Sequence, residues 1–265
     1  MSKISARAKR LLASAPKLQS AAKSLYHYAI FYFSKVKLRA KYPTLKFIHY
    51  KERELVEQRR SGFQSQFGQD FFIFTEFFRK TTHGFYLDIG CNQPQILNNT
   101  YYFEKNLAWD GLAFDPISIY ESQWREHRRA TFVLTALGST NREEEFIEIE
   151  NFQGWGNMMS GFKKNVRAED LRMGFNGYKV KVQPLTQVLN EFNIGKIDFA
   201  SIDVEGAELE ILEGIDFNSH SPSVLLVENY QGFFGRDILR KFLINHGYKY
   251  YARIWICDDV FVKNI

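Results

Sequence analysis

Acidic and amide side chains follow several short β-rich runs of this 265-residue sequence, at the point where each predicted strand ends. They are Asp88, Asp115, Asp203, Glu228 and Asn229. In an open α/β sheet, ligands bind beyond the carboxyl ends of the strands, where the strand order reverses. The sequence therefore predicts a polar crevice lined with hydrogen-bond acceptors.

The loop after the first of these strands limits the kind of ligand. It reads GCNQP, with one glycine, Gly90, that lets backbone approach a ligand, and with Pro94, which has no N–H to donate. A pyrophosphate cradle is not expected, because a dinucleotide fingerprint needs the pattern G-x-G-x-x-G. Asp115 ends the second strand, 27 residues after Asp88, and can accept both hydroxyls of a ribose. S-adenosylmethionine, which has no phosphate and carries a positive sulfonium, suits these carboxylates best.

Short β-rich runs alternate with helical stretches from residue 61 onward, and these elements must position the polar residues. Buried strands are predicted at 85–89, 111–115, 131–137, 197–203 and 223–229. Half-exposed strands are predicted at 144–150 and 179–185, and a closing antiparallel pair at 248–256 and 259–263. Helices are predicted at 96–107, 117–128, 186–192, 205–213 and 236–245. This alternation predicts a layered α/β sheet with helices on both faces.

Basic residues are concentrated at the start of the chain. Residues 1–60 hold 15 Lys and Arg against 3 Asp and Glu, and residues 61–265 hold 20 against 27. The acidic body argues against nucleic-acid binding, which needs a concentrated basic surface. For the arm, two interpretations are open: a helix in peripheral contact with a membrane, or a solvated, partly helical extension.

The composition also indicates the cellular compartment of the protein. No stretch approaches the run of about 18 apolar residues that a membrane-spanning helix needs. Cys91 and Cys257 match no metal or redox spacing, so a disulfide framework is not expected. The sequence predicts a cytoplasmic protein, with the arm as its contact to the inner face of a membrane if the first interpretation holds. An organellar transit peptide is the alternative that the composition of the arm leaves open.

Four segments together carry a resemblance to a known family. They are SQFGQD (65–70), GFYLDIGCNQP (84–94), NNTYYFEKNLAWDGLAFDP (98–116) and IDVEGAELEILEGI (202–215). In this order and spacing they resemble the FkbM family of S-adenosylmethionine-dependent methyltransferases, over residues 61–265. The resemblance implies a class I methyltransferase fold, with a mostly parallel, Rossmann-like, seven-stranded sheet behind the extension of residues 1–60. Relatives usually carry small residues or glycine at the positions of Cys91 and Gln93, and Glu at that of Asp115.

The resemblance also implies which residues bind the cofactor. The implied contacts are Asp88, Gly90 and Asn92 with the methionine part, Asp115 with the ribose, and Ala136 and Leu137 with the adenine. Gln69, Thr100, Pro116 and Asp203 complete this predicted set. A plain strand-to-helix turn at Gly90, core packing at Ala136 and Leu137, and an ordinary helix start at Gln69 are the alternatives.

Methyl transfer to a hydroxyl needs a general base or a metal ion, because a sugar hydroxyl ionises near the pKa of water, about 15.7. In a class I sheet the strands that end at Asp203 and Glu228 are neighbours. With Asn229 they are similar to the Mg²⁺ site of catechol O-methyltransferases, and hard oxygen ligands suit Mg²⁺. The alternative is that Asp203 accepts the proton or orients the cofactor, with Glu205 as a reserve base, and that Glu228 and Asn229 hydrogen-bond the substrate.

The acceptor side of the crevice is predicted from a Gly-, Asn- and Met-rich loop at 151–162. The loop is either a lid, with Trp155 stacked on a sugar and Met158 closing on substrate, or an ordinary surface excursion; Tyr230 would form the opposite wall. The predicted function is O-methylation of a small-molecule or glycan hydroxyl. A non-catalytic binding protein with the same fold is the alternative, and the missing glycines disfavour a nicotinamide oxidoreductase.

Overall fold

Two β-sheets with helices packed on them make up the fold in the computed structural model, which describes residues 16–150, 157–230 and 235–264. Strands are numbered along the chain. In spatial order, the main sheet contains β1 (Lys46–Ile48), β11 (Tyr248–Ile254), β12 (Asp258–Lys263), β10 (Val224–Glu228), β9 (Phe199–Ile202), β2 (Phe85–Ile89), β3 (Asp110–Asp115) and β4 (Thr131–Leu134). The second sheet contains β5 (Ala136–Gly138), β8 (Phe175–Pro184), β6 (Arg142–Ile149) and β7 (Gly161–Phe162).

The helices lie between these strands in the chain. They are α1 (Pro16–Lys41), α2 (Glu52–Arg60), α3 (Gln69–Ile73), α4 (Tyr101–Leu107), α5 (Ile119–His127), α6 (Leu185–Glu191), α7 (Glu208–Glu213) and α8 (Asp237–Asn245). A π-helical turn, Phe74–Phe78, continues α3, and a 3₁₀ turn spans Asp170–Met173. Across the described segments of the chain, no helix combines the length and apolar character needed to cross a bilayer.

The predicted mixed α/β fold with a mostly parallel main sheet is confirmed. Strands β10, β9, β2, β3 and β4 pair in parallel, and β12 is antiparallel to both β10 and β11. The predicted count of seven strands is wrong, because the short strand β1 adds an eighth by pairing in parallel with β11. The strand predicted at 131–137 is two strands, since the chain leaves the main sheet at Thr135 and β5 joins the second sheet.

The central strands are apolar throughout because both of their faces are covered. On β9, Ala200 and Ile202 pack into one hydrophobic core with Leu87 of β2, while Phe199 packs into the other core with Tyr86. A strand buried on both faces needs apolar residues at every position, unlike a half-exposed strand. This explains why FYLDI and IDFASID are largely apolar and carry carboxylates near their carboxyl ends.

The strand order reverses between β2 and β9. From β2 the chain passes outward through β3 to β4, and it returns to the other side of β2 as β9. Asp88 of β2 pairs in register with Ser201 of β9, so the two strands end at the same level. The loops that follow them then turn to opposite sides, which opens a crevice at the carboxyl edge of the sheet.

Helix α1 covers part of the far edge of the main sheet. Phe31 of α1 lies with its ring centroid 6.1 Å from that of Phe47 on β1 and 5.2 Å from that of Trp255, and Leu38 is buried in the core. These contacts describe how the helix packs; the division of the chain at residue 60 stays a prediction.

Candidate functional site

The two loops at the switch point touch at Gly90. Its backbone has a left-handed φ of 78°, and a Cβ at this position would lie 1.7 Å from the carbonyl oxygen of Asp203. The Asp203 N–H in turn donates to Ile89 O at 2.9 Å, and the Gly90 N–H donates to Phe114 O at 2.9 Å. Glycine is needed here because any side chain would force the two strand ends apart.

We therefore expect Gly90→Ala to lower the free energy of unfolding by about 3 kcal/mol, since it combines an unfavourable φ with a backbone clash. Urea unfolding followed by circular dichroism measures the change. Gly195→Ala is the matched control, because nothing lies within 4 Å of a Cβ at Gly195. A Gly90→Ala variant as stable as the control would contradict this account of the loop contact.

A cavity of about 750 Å³, part of it open to solvent, lies at this edge of the sheet. Its lining includes seven of the ten predicted cofactor residues: Gly90, Asn92, Asp115, Pro116, Ala136, Leu137 and Asp203. The rest of the wall is mainly apolar and comes from both sheets and from the segments that follow their strands: Ile89, Phe114, Ile117, Phe146, Phe162, Val204, Ala207 and Ile211. The second sheet, which the sequence interpretation did not foresee, thus forms part of the cavity wall through Ala136, Leu137, Phe146 and Phe162.

Asp115 is held by backbone at the end of β3. Its Oδ2 accepts the Asn92 N–H at 3.0 Å, and its Oδ1 accepts the Ile117 N–H at 2.9 Å. Each carboxylate oxygen keeps a further lone pair for a ligand. Burial raises the pKa of Asp115 to about 7, and nearby Asp88 and Glu148 add to the rise, although the two N–H donors oppose it. The two N–H groups therefore hold the carboxylate in place, while burial and the nearby carboxylates make its ionised form less favourable.

Asp88 and Thr100 are predicted cofactor contacts, but the structure places them behind the cavity wall. Asp88 Oδ2 accepts from Asn98 Nδ2 at 2.8 Å and from Thr100 Oγ1 at 2.6 Å. Both residues are buried, and burial raises the pKa of Asp88 while Thr100, Arg128 and Asn98 lower it. These side chains use their polar groups on one another, so they hold the loop that carries Asn92 instead of lining the cavity.

Arg128 sits at the centre of this support, and no sequence feature identified it. Its NH1 donates to Pro94 O at 2.5 Å and to Asn98 Oδ1 at 3.1 Å, and its NH2 donates to Thr100 Oγ1 at 2.9 Å. Its Nε lies 3.0 Å from Glu104 Oε2, and neither side chain reaches solvent appreciably, with exposures of 0% and 1%. One buried cation therefore ties the loop 92–100 to the end of α5. The only sequence signal was a basic pair at a helix end, which is common on surfaces.

Gln69 also lies outside the cavity lining. Its Nε2 donates to Asp258 Oδ2 at 2.9 Å, and its Oε1 accepts the Phe67 N–H at 2.7 Å. Next to it, buried Asp70 accepts N–H groups from Gln64 at 2.6 Å and from Ser65 at 3.2 Å. The SQFGQD segment thus leads into the start of α3 and is tied to β12, and a contact of Gln69 with the cofactor stays a prediction.

Three carboxylates meet where the cavity opens. Oxygen atoms of Asp203, Glu205 and Glu228 all lie within 4.8 Å of one another. Asp203 is open to solvent at the crevice, and Glu205 and Glu228 are half-buried. Burial raises the pKa of Asp203 to about 7, with the charges of Glu208 and Asp88 adding to the rise and a hydrogen bond with Glu228 opposing it. Burial, followed by the charge of Asp203, raises the pKa of Glu205 to about 8 and that of Glu228 well above its ordinary value. Glu205 has a left-handed φ of 52°, a conformation that costs a non-glycine residue about 1 kcal/mol and is often found at functional sites.

Asn229 is predicted as a metal ligand with Asp203 and Glu228, but its side chain makes hydrogen bonds within the protein. Its Oδ1 accepts the Arg236 N–H at 2.5 Å, and its Nδ2 donates to Asp259 Oδ2 at 2.7 Å and to Arg236 O at 3.2 Å. Both ends of the amide are used inside the protein, so the third oxygen of the cluster comes from Glu205. Glu208 is structural as well, because it accepts the Gly206 N–H at 2.8 Å and pairs with Arg236.

A second, larger crevice of about 1640 Å³, open to solvent, adjoins the first. Glu205 lines both, and Glu228, Tyr230, Trp255, Arg167 and His27 line the second. Tyr230 therefore lies in the wall of this second crevice, and its predicted contact with an acceptor stays a prediction. Met158 lines the first cavity, and its neighbour Met159 lines the second. Trp155 lies outside the described residues, whereas Gly161 and Phe162 at the end of the predicted lid form strand β7.

The residues present fit S-adenosylmethionine. The first cavity combines an apolar lining that includes Phe114, Leu137 and Ile211, which suits a purine, with a buried carboxylate at Asp115, which suits ribose hydroxyls. Asp203 supplies negative charge beside the strand junction, where a sulfonium would be attracted. The three carboxylates also offer the hard oxygen atoms that Mg²⁺ prefers.

Comparison with known proteins gives one match. Residues 88–250 match the family model described as the Methyltransferase FkbM domain. No curated protein matches the chain. No solved structure matches it either. The matched range covers more than half of the chain, from the acidic end of β2 into β11, and includes every residue that lines the first cavity, so the chain belongs to the FkbM methyltransferase family.

Proposed function

We propose that the protein is an S-adenosylmethionine-dependent O-methyltransferase that acts on a hydroxyl of a sugar or glycan precursor. The observation that carries this proposal is the meeting of two crevices at one carboxylate cluster. The first has the apolar slot and the ribose-binding carboxylate that an adenosine cofactor needs, and the second is open and lined by polar and aromatic groups. A binding protein without activity would have no need for the second crevice to open at the carboxylates.

The walls of the first cavity would orient the donor. Asp115 would accept the ribose hydroxyls, while Asn92 stands beside it and Phe114 and Leu137 flank the base. When bound, the cofactor supplies a methyl group that is displaced in line from its sulfonium. The chain's task is to hold the acceptor oxygen on that line and to keep water away from it.

The second crevice would hold the acceptor. Tyr230, which is exposed, offers an aromatic face to a sugar ring, and Glu205 and Glu228 offer hydrogen-bond acceptors to its hydroxyls. The side chain of Asp203 lies between the cavities, where a carboxylate can accept the proton that the attacking hydroxyl loses. Asp203, Glu205 and Glu228 are also the residues that would hold Mg²⁺, which would make that hydroxyl more acidic.

Asp115→Ala tests the assignment of the cofactor. We expect it to weaken S-adenosylmethionine binding about tenfold to a hundredfold in titration calorimetry, because it removes a charge-assisted acceptor of two hydroxyls. Binding by the wild-type protein should strengthen as the pH rises through about 7, because a raised carboxyl pKa keeps Asp115 protonated below that pH and the ligand favours the ionised form.

Asp115→Asn should bind weakly with a smaller dependence on pH. Asp110→Asn is a suitable control, since that side chain is 78% exposed at the other end of β3. Cofactor affinity that is unchanged in Asp115→Ala would contradict the proposal. A thermal shift with a nicotinamide dinucleotide in place of S-adenosylmethionine would favour an oxidoreductase instead.

A further inference from the structure

One face of helix α1 exposes large apolar side chains to solvent. Leu25, Tyr32, Phe33 and Val36 are 71%, 65%, 63% and 57% exposed. A helix turns by about 100° per residue, which brings these four positions onto one side. The opposite side holds Ser34 and Leu38, with exposures of 0% and 4%. The helix thus has one apolar face packed on the protein and a second one with no described protein group over it.

The charge around this second face has one sign. Residues 1–51 contain 12 Lys and Arg and no Asp or Glu. Lys35 and Arg39 lie one turn apart along the border of the exposed face. A cluster of exposed apolar side chains on a helix that also carries only positive charge is the pattern of an interfacial helix.

We propose that this exposed face, formed by Leu25, Tyr32, Phe33 and Val36, binds the surface of an anionic lipid bilayer. The apolar side chains would enter the boundary between headgroups and acyl chains, where tyrosine rings are favoured, and the basic residues would contact the headgroups. A second copy of the chain fits less well, because pairing two such faces would bring positive charges together. Since the family match begins at residue 88, this helix lies outside the matched domain.

The position of α1 relates the membrane to the proposed acceptor site. His27 and Trp255 both line the second crevice, and the Tyr28 ring centroid lies 5.1 Å from that of Trp255. The second crevice therefore adjoins α1. If the exposed face of α1 lies on the bilayer, the wall of this crevice would lie within about one helix diameter, about 10 Å, of the headgroups. This consequence rests on the proposed function, whereas lipid binding itself does not.

Co-sedimentation of the full chain with vesicles tests the proposal without cofactor or acceptor. Phosphatidylcholine vesicles that also contain phosphatidylglycerol should bind the protein, and added salt should release it. Each basic residue near an anionic surface strengthens binding about fivefold, so Lys35→Glu with Arg39→Glu should lower the partition coefficient about twenty-five-fold or more.

Leu25→Ser with Phe33→Ser should lower the same coefficient about tenfold or more without changing any charge. The matched control is Phe175→Ser with Ile238→Ser, since these residues are 49% and 60% exposed on other elements. Circular dichroism and thermal unfolding confirm that each variant is folded. The proposal is overturned if the wild-type protein does not pellet with anionic vesicles, or if the control pair loses as much binding as the α1 pair. A dimer that Leu25→Ser with Phe33→Ser dissociates, with no lipid binding, would assign the face to a second copy instead.

Discussion

Asp203→Asn should lower the kcat of methyl transfer by about a hundredfold to ten-thousandfold, the usual contribution of a general base, while leaving the protein folded. Asparagine has the shape of aspartate but its amide cannot accept the proton of the attacking hydroxyl. Asp203 is placed for that task because it lines the first cavity and its oxygen lies within 4.8 Å of oxygens from Glu205 and Glu228, which line the second. The substitution thus removes the proton acceptor and keeps the shape of the cavity wall.

The measurement needs an acceptor, which a screen of nucleotide sugars with a labelled methyl donor would supply. Calorimetry with S-adenosylmethionine provides the second readout, and the fall in kcat should exceed any fall in cofactor affinity. Asp110→Asn should retain full turnover. If Asp203→Asn reduced only the affinity for cofactor, Asp203 would be a cofactor contact and the base would have to be sought elsewhere.

The same assay separates the two roles open to the carboxylate cluster. If the three residues hold Mg²⁺, a chelator should abolish turnover and added Mg²⁺ should restore it. Glu228→Gln should then raise the Mg²⁺ concentration needed for half-maximal rate. Turnover that persists in chelator would leave proton acceptance as the task of Asp203 and would remove the metal from the proposal.

Much of the fold follows from local patterns. The central strands were predictable because burial on both faces makes them continuous apolar runs, and their carboxyl ends carry the polar residues. Strand β1 and the second sheet were not predictable in the same way. β1 has three residues and gains its place only by pairing with β11, which lies about two hundred positions later in the chain. The break at Thr135 likewise depends on β8, which pairs with β5 from far along the sequence.

The site was predictable at strand ends and less so beyond them. Consecutive residues of a strand point to opposite sides, so Glu228 and Asn229 could not both face the crevice, and Asn229 points to Asp259. Glu205 joins the cluster because of a left-handed backbone in the loop after β9, which no residue pattern announced. Asp88 illustrates a third limit: a carboxylate at the correct strand end can be satisfied by neighbours behind the wall.

Arg128→Met should lower the free energy of unfolding by about 3–5 kcal/mol, the cost of leaving a buried charge without its partner. The partner is Glu104, whose Oε1 accepts the Arg129 N–H at 2.9 Å and whose Oε2 accepts from Tyr86 OH at 2.7 Å. Burial alone would raise the pKa of Glu104, but the charge of Arg128 and these donors hold it below its ordinary value. Methionine fills the space of the side chain and supplies neither charge nor donors.

Denaturant unfolding measures this loss of stability. Arg125→Met is the control, because Arg125 lies in the last turn of α5, close to Arg128 in the chain, and its side chain is 74% exposed. The control should change stability by less than about 1 kcal/mol, as is usual for an exposed ion pair. Adding Glu104→Gln to Arg128→Met should recover part of the loss, since it removes the stranded charge. If Arg128→Met were as stable as the control, the contacts of Arg128 would not stabilise the loop 92–100. If instead the stability falls as expected, S-adenosylmethionine affinity should fall with it, because that loop carries Asn92 into the cavity.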